Sequence, residues 1–179
     1  MQRHKFAFTI CLGLATILVS NAAVAQYKVT NFDSNQIGAA RHVDPLLVNG
    51  WGLARSATSP FWVSDQGTGW STIYTGTGIK QGLEVLIPAA GAGPGSPTGI
   101  VFNGSNGDFQ VQYWQAFFLF ATLDGTISGW APQSNPNAAI IAVNNSAAGN
   151  VYTGLAITGN PTGNFLYAAD VAHNKVDMY

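Results

Sequence analysis

Three glycines, Gly52, Gly99 and Gly154, each stand second in a short apolar segment (WGLA, TGIVF, TGLAI), and they lie 47 and 55 residues apart. Each segment is followed, after a gap, by an aromatic-rich stretch and polar turn residues: Phe61–Tyr74, Phe118–Trp130 and Phe165–Tyr179. Self-similarity at this period is the signature of a repeat architecture, and roughly 40–50 residues is what one four-stranded β-propeller blade takes. Charged residues make up 8% of the 179-residue chain, against roughly 25% in an average soluble domain. That removes the basic excess needed to neutralise nucleic-acid phosphates and the charge patterning of a long helix or disordered tail. The expected fold is therefore all-β, a partial propeller of about three four-stranded blades.

Period-2 patterning and turn residues divide each repeat into strands. In the first, covering about 48–92, the strands A to D are Trp51–Ala54, Phe61–Ser64, Thr72–Tyr74 and Glu84–Ile87. In the second, about 96–145, they are Thr98–Phe102, Phe118–Thr122, Thr126–Trp130 and Ala139–Val143, with Asp124-Gly125 as a hairpin turn. The third, about 151–179, supplies Gly154–Ile157, Phe165–Ala169 and Lys175–Tyr179. A lone segment, Tyr27–Asn31, reads as the strand that closes a propeller ring. Three blades fall short of the usual four to eight, so the pattern predicts an incomplete chain. If the chain truly ends at Tyr179, its open sheet edges favour self-association.

The start of the chain reads as an address. Arg3, His4 and Lys5 precede an apolar run, Phe6–Val19, and Ala23-Val24-Ala25 is a small-x-small cleavage site, so residues 1–25 are expected to be a secretory signal peptide. The run is too short for a membrane span, and no membrane span is expected after cleavage. The one cysteine, Cys11, lies inside this leader, which leaves the mature chain without a thiol for disulfides, nucleophilic catalysis or metal binding. The expected location is secreted or extracytoplasmic, in the periplasm or at the cell surface.

The motifs DPLLVNGWGLA (Asp44–Ala54), FWVSDQGTG (Phe61–Gly69), SPTGIVFNG (Ser96–Gly104), FATLDGTISGW (Phe120–Trp130) and YTGLAI (Tyr152–Ile157) come in an order that resembles a family of exported bacterial proteins of unknown function. The resemblance implies a six-bladed parent of the TolB-like or NHL-like propeller superfamily, of which this chain is the amino-terminal half. It implies no reaction and no catalytic residue.

Candidate chemistry is sparse. Asp65, Asp124 and Asp170 follow or lie near the second strand of each repeat. As rim acids they would offer carboxylate oxygens to Ca²⁺; as turn residues they would accept backbone N–H groups, and the second reading is favoured. In hydrolytic propellers a channel metal is held by acids and amides near the innermost strands, positions that correspond here to Asp44, Asn49, Thr98 and Thr153. Asp44 and Asn49 are the metal-ligand candidates among them, although Asp44-Pro45 and Asn49-Gly50 read equally well as turns. His42 and His173 fall in loop-like segments. Of the five tryptophans, Trp51, Trp62 and Trp130 lie on strand patterns, consistent with packing between blades, whereas Trp70 and Trp114 fall in connections. The segment Gln110–Ala116 (QVQYWQA) interrupts the second repeat, and its Tyr113 and Trp114 form a candidate binding patch.

The favoured function is an exported, non-catalytic binding module whose partner is a protein, a glycan or a small molecule. The alternatives are a metal-dependent lactonase-like hydrolase whose site is completed by further blades, and a fragment without function. No cofactor is identifiable; Ca²⁺ is the cation the acids would take.

Overall fold

The computed structural model describes residues 27–179; the expected leader, residues 1–25, lies outside them. Two units are resolved by chain contacts, Met1–Thr30 and Asn31–Tyr179. In the first, the described residues 27–30 carry no strand, and none begins before Asp33. The segment Tyr27–Asn31, expected as a closing strand, has no strand partner among the described residues, and its last residue, Asn31, accepts the Arg41 N–H at 3.3 Å.

The second unit begins with a short parallel pair, β1 (Asp33–Ser34) and β2 (His42–Val43). A four-stranded antiparallel meander follows: β3 (Gly50–Ala54), β4 (Phe61–Asp65), β5 (Trp70–Tyr74) and β6 (Val85–Leu86). The next sheet is opened by β7 (Pro97–Phe102), after which a small hairpin, β8 (Gln110–Val111) with β9 (Trp114–Gln115), interrupts it. The sheet resumes with β10 (Phe118–Thr122), β11 (Thr126–Trp130) and β12 (Ile140–Asn144), in the order β12-β11-β10-β7. A 3-10 turn, Ser146–Ala148, leads to a three-stranded meander of β13 (Tyr152–Asn160), β14 (Gly163–Asp170) and β15 (Lys175–Met178). These sheets are three consecutive blades of an all-β, partial β-propeller. Among the described residues no helix is long and apolar enough to cross a membrane.

The middle blade explains why a sequence so poor in charge folds this way. Every residue of β10 and β11 is buried, so polar and apolar positions do not alternate, yet the period of two persists in where the side chains go. Phe118 and Phe120 enter one core with Trp62, Ile73, Val85 and Ile87 of the first blade. Leu119 and Ala121 enter a second core with Tyr152, Leu166 and Ala168 of the third. Each fully buried large apolar side chain contributes roughly 1.5–3 kcal/mol through lost water contact. A charge on either face would be desolvated without a partner.

The repeated glycine has a matching cause. A Cβ at Gly52 would collide with the Thr98 carbonyl oxygen and Ile100, and one at Gly99 with the Leu155 backbone. The innermost strands β3, β7 and β13 therefore approach backbone to backbone, which only a residue without a side chain permits. The outer edges of the first two blades are also joined: the Leu86 N–H donates to the Asn137 carbonyl and the Ala139 N–H to that of Leu86, both at 2.9 Å.

Candidate functional site

The segment Gln110–Ala116, expected as a lengthened loop, is a tight hairpin. Gln110 pairs with Gln115 and Val111 with Trp114, leaving Gln112 and Tyr113 as the two turn residues, with φ of 48° and 72°. Such a turn needs positive φ at both central positions and normally uses Asn and Gly. Phe109, just before the hairpin, is also left-handed at φ 56°. Each such residue costs on the order of 1–3 kcal/mol and persists where the surroundings over-determine it.

Those surroundings are specific. Val111 and Ala116 are buried in the second core, lying over Gly129 of β11, where a Cβ would approach the Ala116 methyl to 2.7 Å. The Ser134 hydroxyl donates to the Val111 carbonyl at 3.1 Å, and Asn103 Nδ2 donates to the carbonyls of Asp108 and Ala116, both at 2.8 Å. Gln110 Nε2 donates to the Gly107 carbonyl at 2.8 Å and Gln115 Nε2 to that of Ser105. On this base Tyr113 is 95% exposed and Trp114 50% exposed, so the two residues anticipated as a binding patch stand side by side at the end of a hydrogen-bonded hairpin.

The tryptophans divide differently from expectation. Trp62 and Trp130 pack between blades: the Trp62 ring stacks on Phe118 at 4.2 Å and meets Trp130 at 4.7 Å. Trp70, expected in a connection, lies in β5 paired with Asp65 and Leu86, and Trp114 begins β9. Trp51, expected between blades, is exposed along β3.

The three acids do not form one ring. Asp65 is buried at the end of β4, and its Oδ2 accepts the N–H and hydroxyl of Thr72 at 3.1 and 2.7 Å while Oδ1 has no partner. Burial drives its carboxyl up to about 7, against the hydrogen bonds from Thr72 and with the repulsion of Asp44. Asp170 holds the same strand-end place in β14 but is surrounded: Asn150 Nδ2 donates at 2.7 Å, the Val151 and Ala172 N–H groups at 3.1 and 3.2 Å, and His173 Nδ1 lies 2.7 Å away. Burial opposes its charge, but the Val151 N–H, His173 and the Ala172 N–H outweigh that and hold the carboxyl below the ordinary range. Asp124 reaches sideways instead, accepting the Ala90 and Ser96 N–H groups at 2.6 and 3.4 Å. The residue matching Asp65 and Asp170 in the middle blade is Thr122, whose hydroxyl accepts the Thr126 N–H at 3.0 Å. Sequence reading missed this, although FWVSD, FLFAT and LYAAD align at their last residue.

The proposed metal positions are each committed elsewhere. Asp44 is buried, with the Tyr74 hydroxyl donating to Oδ2 at 2.6 Å and Lys80 Nζ to Oδ1 at 2.9 Å. Burial raises its pKa, but Tyr74 and Lys80 win and lower it. Asn49, left-handed at φ 52°, donates through Nδ2 to Gln66 Oε1 at 2.7 Å. The Thr98 hydroxyl lies 2.7 Å from the Tyr152 carbonyl, tying the second blade to the third, and Thr153 contacts the Ala169 carbonyl at 3.5 Å. Among the described residues no three His, Cys, Asp or Glu side chains converge as a cation site. His42 pairs with Asp33 at 3.6 Å.

No family model matches the chain. It is similar to an uncharacterised protein of Acanthamoeba polyphaga mimivirus, 28% identical over 163 residues that cover 88% of this chain and 39% of that protein. A second uncharacterised protein of the same virus is 31% identical over 163 residues, 88% of this chain and 42% of that protein. The chain thus spans about two-fifths of the length of these relatives. They overturn the expected membership of an exported bacterial family: the similarity runs to viral proteins without assigned function. Among solved structures, BBS1N in complex with ARL6DN superposes at a TM-score of 0.49 with 17% identity, over 76% of this chain and 38% of that one.

Proposed function

We propose that the chain is a binding module, acting outside the cytoplasm, whose contact surface for a partner is the hairpin Gln110–Gln115. The observation that carries this reading is the conformation of Tyr113: a bulky residue held left-handed at the tip of a two-residue turn and almost wholly exposed, above a buttressed base. Nothing in packing rewards that arrangement, because the ring touches solvent rather than core. A rigid exposed aromatic pair gives contact area at low entropic cost on binding.

The test compares the full chain with the Tyr113→Ala/Trp114→Ala double variant on arrays of extracellular proteins and glycans. The reading expects a partner bound by the native chain and lost at least tenfold by the double variant, with unchanged thermal unfolding. Equal binding by both chains to a demonstrated partner contradicts it. Export rests on the basic, apolar and small-residue order of the first 25 residues, and amino-terminal sequencing of secreted protein should start at Gln26.

A further inference from the structure

Between the first and second blades lies an open cavity of about 440 Å³. Its walls include Trp62 and Ile73 of the first blade and Phe102, Phe117, Phe118 and Trp130 of the second. Trp62 and Phe118 lie nearly parallel, 21° apart, and Trp130 leans over Trp62 at 50°. These rings belong to the inter-blade core and are 4%, 3% and 7% exposed, so they meet the cavity only through a small remainder of their surface, whereas Phe117 stands at the mouth 38% exposed. The size is that of a site for one small molecule.

The lining selects the ligand's chemistry. None of the lining residues is charged. The Trp130 indole N–H is already spent on the Pro136 carbonyl at 3.1 Å, and the Ser59 hydroxyl at the rim on the Pro60 carbonyl at 2.9 Å. An ion entering here would lose its hydration with only the Ser56 hydroxyl and the Gln81 amide on the walls to replace it. A flat ring system, in contrast, can lie against the exposed Phe117 ring with offset or edge-to-face contacts. A helical partner fits poorly, because one helical turn with side chains, about 10–12 Å across and 5.4 Å tall, would fill the space and bury far less than the roughly 1,200 Å² of a specific protein interface.

We propose that this cavity binds a neutral, flat, apolar small molecule, an aromatic or conjugated hydrocarbon-like compound lying against Phe117 and over the rims of the Trp62, Phe118 and Trp130 cluster. The site is separate from the hairpin, and its occupancy does not depend on Tyr113 or Trp114.

The full chain titrated with N-phenyl-1-naphthylamine, which is neutral and carries a flat naphthalene ring, tests this. Saturable binding at one probe per chain is expected, with quenching of tryptophan emission because two tryptophans form the walls. The anionic 8-anilinonaphthalene-1-sulfonate should bind at least tenfold more weakly. Phe117→Glu places a charge at the mouth on an already exposed position, and should weaken the neutral probe at least tenfold with an unchanged unfolding midpoint. Gln81→Glu, on the opposite rim, is the second variant and should act in the same direction if Phe117→Glu does not fold. Tyr113→Ala/Trp114→Ala should bind the probe as the native chain does, which separates this site from the hairpin. The proposal is overturned if the folded native chain shows no saturable binding, if the anionic probe binds as well as the neutral one, or if folded Phe117→Glu and Gln81→Glu both retain native affinity.

Discussion

The second and third blades are built from similar strand sequences, FLFAT and FLYAAD, but solvate them differently. In β10 all five residues are buried because a blade packs on each face, whereas in β14 burial alternates, with Leu166, Ala168 and Asp170 turned inward and Phe165, Tyr167 and Ala169 partly in water. The same aromatic-rich strand is thus a two-sided core element in one place and a half-solvated one in the other. What differs is the neighbour, not the strand.

Substitutions at matched positions should expose the contrast. Phe120→Ala should cost about 3–5 kcal/mol, the range for a fully buried aromatic that leaves a cavity, and Phe165→Ala about 1 kcal/mol or less, measured by chemical denaturation. Equal losses would break the comparison.

The strand-end acids give an opposite pH response. Folded Asp65 keeps its proton up to about pH 7, whereas an unfolded aspartate releases it near 3.9. Between those values the folded state binds more protons, so stability falls as pH rises from about 4 to about 7, by at most about 4 kcal/mol at 1.36 kcal/mol per unit. Asp65→Asn should flatten that fall. Asp170, whose pKa is lowered, stabilises the fold above its unfolded pKa, and this is lost as pH falls through the depressed folded value. Asp170→Asn should therefore weaken the protein at neutral pH and leave the decline between pH 4 and 7 in place. Unfolding free energies across pH 3–9 distinguish the two acids.

Smaller effects should follow from backbone crowding and strain. Gly99→Ala meets the Leu155 backbone and should cost about 1–3 kcal/mol through overpacking, while a Cβ at Gly154 lies an ordinary 3.7 Å from Ala169 and Gly154→Ala should change stability by no more than about 0.5 kcal/mol. Tyr113→Gly relieves a left-handed backbone and should raise stability by roughly 1 kcal/mol while weakening partner binding. A gain in stability with undiminished binding would separate the strain from the function.

Much of this fold could be read from the chain. The strands Phe118–Thr122 and Thr126–Trp130 were legible to the residue, because continuous apolar runs bounded by Asp124-Gly125 leave no other register. Of the aligned glycines, Gly52 and Gly99 stand where the innermost strands meet, whereas Gly154 has ordinary space around it. Less was legible of the site. Trp70 looked like loop because Gly67 and Gly69 precede it, yet its pairing with Leu86 makes it strand. The hairpin carries no Asn-Gly signal, since Gln112 and Tyr113 are forced into the turn by the base beneath them. In the sequence Asp44 reads as a metal-ligand candidate or a turn residue; its partners Tyr74 and Lys80, 30 and 36 residues away in sequence, were not legible. The cavity is invisible to any linear pattern, since Trp62, Phe102, Phe117 and Trp130 converge only through the packing of two blades.

Amide hydrogen exchange on the full chain tests the central claim most directly, that the aromatic tip is a rigid projection of the middle blade. The account predicts that the paired amides of Gln110–Gln115 are protected nearly as well as those of β10 and β11, and better than those of β15. Exchange of the hairpin amides at the rate of an unstructured loop, with β10 and β11 still protected, would contradict it.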